Sequence, residues 1–230
     1  HPDLELAFNK KLADKRKSWL RQYDMEKRIE FQPEMTIDLH QFIHLEMKHF
    51  SNYDNIRSIP VMIDGFKPSQ RKVIYACIKR NLFDEIKVAQ LSGNVAEVTS
   101  YHHGENSLMA TIINLAQDFV GSNNLNLLEP IGQFGSRLIG GKDHSSARYI
   151  FTHLSKVIKA LIKKEDNGLL EYQDDDGFKI EPKVYYPIIP LVLVNGADGI
   201  GTGFSTYVPN YNPNDIVNIL LNKLKGEKTK

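Results

Sequence analysis

The sequence carries its clearest structural signal in the stretch Arg57-Ser-Ile-Pro-Val-Met-Ile-Asp-Gly-Phe-Lys-Pro-Ser-Gln-Arg-Lys72. Asp64-Gly65 predicts a turn, and Pro68-Ser69 predicts the start of a helix, because proline suits the first helical turn. The next apolar residues recur at helical spacing and predict a buried stripe of Val73, Ile74, Cys77 and Ile78. The same periodicity places Arg71, Tyr75 and Lys79 on the opposite face, which we expect to be exposed.

Basic residues are concentrated in this region, although the whole chain is nearly neutral. The formal net charge of the 230 residues is +1, which by itself favours no class of partner. Between Arg57 and Arg80, however, six basic residues accompany the single acid Asp64. Such a local excess is typical of surfaces that displace counterions from DNA, whereas a merely solvated helix face is the alternative.

Composition sets the broad class of the protein. Hydrophobic residues make up 41% and charged residues 25%, so the chain can bury the core of one large or two small domains. The single cysteine, Cys77, excludes a disulfide framework and a cysteine-ligated zinc site within these residues. No apolar run approaches the ~18 residues that span a bilayer. Because the chain starts at His1 rather than Met, we expect a fragment of a longer protein.

Periodicity predicts a mainly helical α+β fold. One helix is expected from a cap at Thr36 until the turn-like cluster Ser51-Asn-Tyr-Asp-Asn55, and another over residues 105–120. A third amphipathic helix is expected after residue 149. The apolar run Leu191–Val194 predicts a buried strand.

A tyrosine with a preceding arginine ends the stretch Gly140-Gly-Lys-Asp-His-Ser-Ser-Ala-Arg-Tyr149. A tyrosine can attack a phosphodiester and hold the broken strand as a phosphotyrosine ester, although the neutral phenol is a weak nucleophile. A neighbouring guanidinium favours the phenolate and grips phosphate through two hydrogen bonds. Taken alone, the pair is more typical of a surface arginine beside a half-buried tyrosine, so the surrounding motifs decide its meaning.

Three further motifs admit more than one interpretation. The histidines of Tyr101-His-His-Gly-Glu105 suit phosphate contact better than metal binding, because adjacent residues seldom ligate one ion. The glycines of 199–203 resemble a phosphate loop but lack the helix and later acid of a dinucleotide site, and Ile200 between them fits a protruding tip. The acids Asp174–Asp176 lack the ligand spacing of a calcium loop and favour a solvated loop.

Four segments together resemble the type IIA DNA topoisomerases, the eukaryotic branch in particular. They are 57–72, Tyr101-His-His-Gly-Glu105, 140–149 and Leu193-Val-Asn-Gly-Ala-Asp-Gly-Ile-Gly-Thr-Gly203. The resemblance implies a winged-helix (CAP-like) DNA-binding and cleavage domain over residues 36–184 and the start of a tower domain over 185–230. Residues 1–35 resemble the tail of the preceding metal-binding (TOPRIM) domain with a basic linker, and a basic arm near nucleic acid is equally compatible with them.

The resemblance also implies residue roles. Tyr149 matches the nucleophile, Arg148 the arginine that stabilises the transferred phosphate, and His103 a histidine near the scissile group. Ile200 matches an apolar wedge between base pairs, and Ser107 a helix position near the cleavage site. The full set of implied DNA-binding residues is Arg57, Lys67, Arg71, Lys72, His102, Ser107, Lys142 and Ile200.

The implied function is reversible double-strand cleavage that lets a second duplex pass. In such an enzyme Mg²⁺ and ATP are bound by other domains, so we expect no metal ligand in this chain. We expect the chain alone to bind DNA without cleaving it. The implied partners are double-stranded DNA and a second copy of the protein in a homodimer, with no membrane, and the implied location is the nucleus if the source is eukaryotic. A winged-helix protein that only binds DNA, or a nucleotide-using enzyme built on Gly199–Gly203, are the alternatives.

Overall fold

A computed structural model of the chain describes residues 1–227, which form two compact units. The first unit comprises His1–Pro60 and Asp198–Tyr207, and the second comprises Val61–Ala197 and the residues from Val208 onward. None of the helices in the described part of the chain has both the length and the apolar character needed to cross a bilayer.

The helices and strands are named in chain order. The α-helices are α1 (Pro2–Phe8), α2 (Ala13–Arg21), α3 (Leu39–Gln41), α4 (Lys48–Ser58), α5 (Pro68–Arg80), α6 (Val88–Thr99), α7 (Glu105–Ala116), α8 (Ile158–Leu161), α9 (Leu191–Val194) and α10 (Pro213–Leu224). A π-helical segment (Phe42–Met47) joins α3 to α4, and 3₁₀ turns lie at Lys10–Leu12, Arg137–Ile139 and Lys164–Gly168. The strands are β1 (Ile86–Lys87), β2 (Phe151–Thr152), β3 (Tyr172–Asp175), β4 (Phe178–Pro182), β5 (Ala197–Ile200) and β6 (Ser205–Val208).

The first unit is helical, with a small core of Ala7, Trp19, Leu20 and Ile43. Its long helical run begins at the cap Asp38, which accepts a hydrogen bond from the Gln41 backbone N–H at 2.8 Å, so the predicted cap at Thr36 is wrong. The run continues to Ser58, where Ile59 turns extended ahead of Pro60. A residue that precedes proline avoids the helical conformation, and this ends the helix.

The turn predicted at Ser51–Asn55 is therefore also wrong. Its polar residues belong to α4 and find partners in the β5–β6 loop. The Asn55 side-chain amide donates to the Thr202 carbonyl at 3.1 Å, and the Thr202 hydroxyl donates to the Asp54 carboxylate at 3.1 Å. Turn-forming residues can lie inside a helix when tertiary partners satisfy their side chains.

The second unit is built on α5, α6 and α7, which pack on one another around a single apolar core. The predicted stripe is observed, because Val73, Ile74 and Cys77 are completely buried. β1 pairs antiparallel with β2, and two isolated bridges, Leu128 with Leu154 and Ile131 with Phe151, extend this pairing. β3 and β4 form an antiparallel hairpin that packs on α5 and α6.

Two further predictions in this unit are wrong. The run Leu191–Val194 forms a short helix, because apolar character alone does not separate a buried strand from a buried helix. After residue 149 the chain remains extended through β2, and the expected helix shrinks to α8. The mainly helical α+β class is confirmed, and the winged-helix arrangement remains a prediction.

Candidate active site

The Arg148–Tyr149 pair lies at the tip of a turn whose two flanking residues are buried. Ala147 and Ile150 are only 8% and 1% exposed, whereas Tyr149 is 70% exposed. The carbonyl oxygens of Ala147 and Ile150 accept hydrogen bonds from the first two backbone N–H groups of α6, at 3.1 and 3.0 Å. The helix start therefore holds the turn from both sides while the phenol points out of the core. The Tyr149 hydroxyl has no hydrogen bond to another residue within 1–227.

The glycine turn ahead of this pair is fixed by close backbone contacts. Gly141 has a φ of +78°, and a Cβ there would lie 2.2 Å from the Gln117 side-chain nitrogen. That nitrogen donates to the Phe134 carbonyl at 2.8 Å. The Asp143 carboxylate accepts from the Ser136 backbone N–H at 2.7 Å. This hydrogen bonding from Ser136 lowers the pKa of Asp143 below its usual value, since it favours the charged form.

Three predicted DNA-binding side chains of the second unit are accessible. Lys142 is exposed in the glycine turn, and Ser107 is exposed in the first turn of α7. Lys67 caps α5 and is half-buried, and its backbone N–H donates to the Gln70 side chain at 2.8 Å. Neither lysine forms an ion pair within the described residues, so both ammonium groups are available to phosphate.

The two histidines follow the opposite end of α6 from the tyrosine turn. The twelve residues of α6 span about 18 Å along its axis. His102 is exposed and lies 3.7 Å from the Asp175 carboxylate in the β3–β4 hairpin, and His103 packs edge-on against Tyr101 with ring centroids 5.3 Å apart. The structure therefore does not link His103 with Tyr149, and its role near the scissile group stays a prediction.

Arg71 is buried rather than exposed. Its guanidinium is 3% exposed and donates to both carboxylate oxygens of Asp64, at 2.7 and 3.0 Å, and to the Phe66 carbonyl at 3.1 Å. Asp64, itself completely buried, also accepts from the backbone N–H groups of Phe66 and Tyr185. The prediction of an exposed Arg71 is wrong, because a long side chain can turn back to a buried carboxylate. Its assignment to the DNA track has no geometric support.

Lys72 is likewise engaged inside the second unit. Its ammonium group is 15% exposed and lies 2.9 Å from Glu181, a residue of β4 that is 2% exposed. It also donates to the Thr99 carbonyl at 2.6 Å. Thr99 ends α6, just before the histidine motif, so Lys72 positions that motif instead of offering a free charge to DNA.

Arg57 and Ile200 lie together in the first unit. Arg57, near the end of α4, makes only a solvent-exposed pair with Asp54 at 3.3 Å. Ile200 is 79% exposed, which excludes a loop isoleucine tucked into the core. A Cβ on either neighbouring glycine would clash with α4, at 2.3 Å from the Ser58 carbonyl for residue 199 and at 2.2 Å from the Asn55 side chain for residue 201. Because side chains alternate along a strand, Ile200 points away from α4.

A possible metal cluster is also found in the first unit. Within residues 1–227 the single grouping of three potential ligands is Asp3, His40 and His44. The indole N–H of Trp19 donates to Nδ1 of His44 at 3.0 Å, and tryptophan can only donate, so Nε2 of His44 carries the proton. That Nε2–H donates to the Asp3 carboxylate at 2.9 Å and lowers the pKa of Asp3. A protonated Nε2 does not ligate, and two imidazoles do not suit Mg²⁺, which prefers oxygen.

Comparison with known proteins identifies the family. The family model for the A-type subunits of DNA gyrase/topoisomerase IV matches residues 57–230. The chain belongs to this family. The C-terminal associated domain of TOPRIM matches residues 1–55 of the same family member. Both matches agree with the resemblance to type IIA DNA topoisomerases drawn from the motifs, which is confirmed.

Individual relatives of this family member are eukaryotic. DNA topoisomerase 2 of Bombyx mori is 55% identical over 99% of this chain, which covers 15% of that protein. DNA topoisomerase 2 top-2 of Caenorhabditis elegans is 52% identical over 99% of the chain, covering 16% of that protein. The crystal structure of the Plasmodium falciparum topoisomerase II DNA-binding, cleavage and re-ligation domain has a TM-score of 0.86 and 49% identity, covering 99% of this chain and 31% of that one. The chain thus spans about one sixth of the length of these full relatives.

Sequence reasoning missed the residues that hold the site in place. Asp64 and Glu181 are buried carboxylates, and Gln117 clamps the glycine turn. The Asp64-Gly65 pair did signal a turn, but nothing in the local sequence indicates that its carboxylate faces inward.

Proposed function

We propose that the chain is the DNA-binding and cleavage region of an ATP-dependent type II DNA topoisomerase, with Tyr149 as its nucleophile. The observation that carries the proposal is an accessible phenol, next to a guanidinium, on a turn anchored at the start of α6. Its membership of a topoisomerase family supports the same assignment.

The chemistry is a reversible transesterification. The Tyr149 oxygen forms a bond to phosphorus and loses its proton, while the bond from phosphorus to the 3′ oxygen breaks and that oxygen takes up a proton. The 5′ phosphate remains on the tyrosine as an ester. Arg148 holds the charged phosphoryl oxygens by charge-assisted hydrogen bonds. Because the ester conserves the phosphodiester bond energy, the same steps in reverse reseal the strand without ATP.

DNA contact is assigned to the side chains that remain accessible. In the second unit these are Lys67, His102, Ser107 and Lys142, which would bind phosphates or groove edges and hold the duplex near the tyrosine turn. In the first unit the exposed Ile200 would enter between base pairs and kink the duplex, at a cost of a few kcal/mol that added contacts offset. Arg57 would bind the backbone near it.

The remaining partners follow from the family. Type II topoisomerases need Mg²⁺ and ATP, and we assign both to parts of the protein outside this chain, since the Asp3 cluster suits neither. A homodimer is supported by Leu138 and Ile139, which are 92% and 54% exposed in the 3₁₀ turn beside the glycine turn. Large apolar side chains in such a place favour a protein contact. We assign the protein to the nucleus of a eukaryotic cell.

The decisive experiment replaces Tyr149 with phenylalanine in the topoisomerase that carries this chain. We expect no covalent protein–DNA adduct and no DNA relaxation, with DNA affinity within about twofold of the parent, because only the reacting oxygen is lost. The control Tyr186→Phe removes another exposed phenol of the second unit and should leave the adduct intact. Relaxation by the Tyr149→Phe enzyme would show that another group is the nucleophile.

A second measurement separates catalysis from simple DNA binding. The chain alone with Mg²⁺ should retain DNA in a gel-shift assay without forming an adduct. A covalent adduct formed by these residues alone would show that they hold their own metal. Absence of an adduct in the whole enzyme would instead favour a protein that only binds DNA.

A further inference from the structure

A concave groove lies in the second unit, between the exposed face of α5, residues 162–167 and the β3–β4 hairpin. Its larger cavity has a volume of about 500 Å³ and adjoins a smaller one of about 290 Å³. Ile78, Ile162, Lys163 and Lys164 line both cavities, so the two form one continuous depression. None of the residues assigned above to cleavage or DNA contact lines it.

The larger cavity is strongly basic. Four lysines, Lys79, Lys163, Lys164 and Lys179, lie around it, and its lining includes no carboxylate. All four are exposed, and none forms an ion pair with another residue in 1–227. The smaller cavity adds Lys159 and one acid, Glu165. Uncompensated like charges around one concavity raise the local concentration of anions.

The floor of the larger cavity offers neutral hydrogen-bond donors. It contains Tyr75, Tyr172 and Tyr185, whose hydroxyl groups make no hydrogen bond to another described residue. The rings of Tyr75 and Tyr172 meet edge-to-face with centroids 6.3 Å apart, and the Lys79 ammonium lies 5.4 Å from the Tyr75 ring. Burial raises the pKa of Tyr172 and of Tyr185, so both phenols keep the protons that they can donate.

We propose that this groove binds a small molecule that carries several phosphate groups. The lysines would bind the phosphates, and the tyrosine hydroxyls would donate to oxygens that reach the floor. The cavity volume lies in the range that accommodates small ligands. A DNA duplex is too wide to enter it and would touch only the rim lysines. Two sources share this chemistry, an inositol polyphosphate and a nucleoside polyphosphate, and they differ in whether a flat ring accompanies the phosphates.

Calorimetric titration of the chain tests the proposal with three probes: tripolyphosphate, inositol hexakisphosphate and ADP. Binding of all three with similar affinity per phosphate would assign the site to phosphate alone, and tighter binding of ADP than of tripolyphosphate would assign it to nucleotides. Each result supports the proposal. No binding of any probe up to about 1 mM overturns it, because that concentration corresponds to a negligible affinity.

Matched variants locate the site. Lys79→Gln with Lys179→Gln should weaken binding of the best probe by about tenfold, since two charge-assisted contacts are lost. The control Lys223→Gln with Lys225→Gln removes the same charge from exposed lysines at the end of α10 and should change affinity by less than about twofold. Equal weakening by both pairs would mean non-specific attraction and overturn the proposal.

Tyr172→Phe distinguishes a built pocket from a rim of charges. This variant keeps the ring and removes the hydroxyl, so we expect about threefold weaker binding with unchanged salt dependence. Competition by a short DNA duplex gives the opposing result. If the duplex displaces the probe and Tyr172→Phe binds it as tightly as the parent, the lysines form a nucleic-acid surface and the pocket assignment fails.

Discussion

Replacing Asp64 with alanine should destabilise the second unit by about 3–5 kcal/mol, because the change leaves the Arg71 guanidinium charged, buried and unpaired. The magnitude follows from the contacts. Asp64 is completely buried and accepts four hydrogen bonds, two from Arg71 at 2.7 and 3.0 Å and one each from the backbone N–H groups of Phe66 and Tyr185 at 3.0 Å. Arg71 keeps only its bond to the Phe66 carbonyl in the variant. The two orphaned backbone donors add to the cost of the unpaired charge.

A surface pair in the first unit provides the control. Asp54 and Arg57 lie 3.3 Å apart, with side chains that are 20% and 47% exposed. Asp54→Ala should therefore cost about 1 kcal/mol or less, because solvent screens the pair and replaces its hydrogen bonds.

The chain contains a convenient probe for each unit. Cys77 is the only cysteine and is completely buried in the second unit, and Trp19 is the only tryptophan and lies in the first. Unfolding in urea would be followed by thiol labelling of Cys77 for Asp64→Ala and by Trp19 fluorescence for Asp54→Ala. The free energy of unfolding comes from linear extrapolation at each probe.

Two results would refute the reasoning. One is a loss below about 1 kcal/mol for Asp64→Ala, which would mean that Arg71 reaches water easily. The other is a double variant, Asp64→Ala with Arg71→Met, that is as unstable as the sum of the single variants. Removing both charges should instead recover about 2 kcal/mol, because no buried charge remains.

Three shorter predictions concern the histidine motif and the glycine turn. Lys72→Met should cost about 3 kcal/mol of stability by stranding the buried Glu181, whereas a phosphate-binding Lys72 would instead show lower DNA affinity at unchanged stability. Gly140→Ala should cost about 1 kcal/mol for its positive φ, and Gly141→Ala distinctly more, because only the second Cβ meets a side chain at 2.2 Å; equal urea midpoints would contradict this. The Asp143 carboxylate has a pKa lowered from 3.8, so its contribution to folding is complete above that pH and is lost as the pH falls through the lower, folded-state pKa. Acid titration of Asp143→Asn, followed by circular dichroism, should lack this component, and an acid midpoint identical to the parent's would disprove it.

The sequence by itself determined the helical stripe of α5, the mainly helical class and the family. These features depend on local periodicity and on motifs of contiguous residues, which need no knowledge of distant partners. The exposure of Ile200 was also predictable, since glycines on both sides leave a branched side chain without neighbours in sequence.

Only the tertiary structure decided which basic residues remain free for DNA. Arg71 shares Asp64 with Tyr185, which is 121 residues further along the chain from that aspartate, and Lys72 pairs with a glutamate 109 residues away. Likewise, Asn55 enters a helix because a loop 147 residues later satisfies its amide. A long polar side chain near a helix boundary can reach either water or a buried partner. Which of the two it reaches depends on where the rest of the chain places a complementary charge or carbonyl, and no local pattern encodes that position.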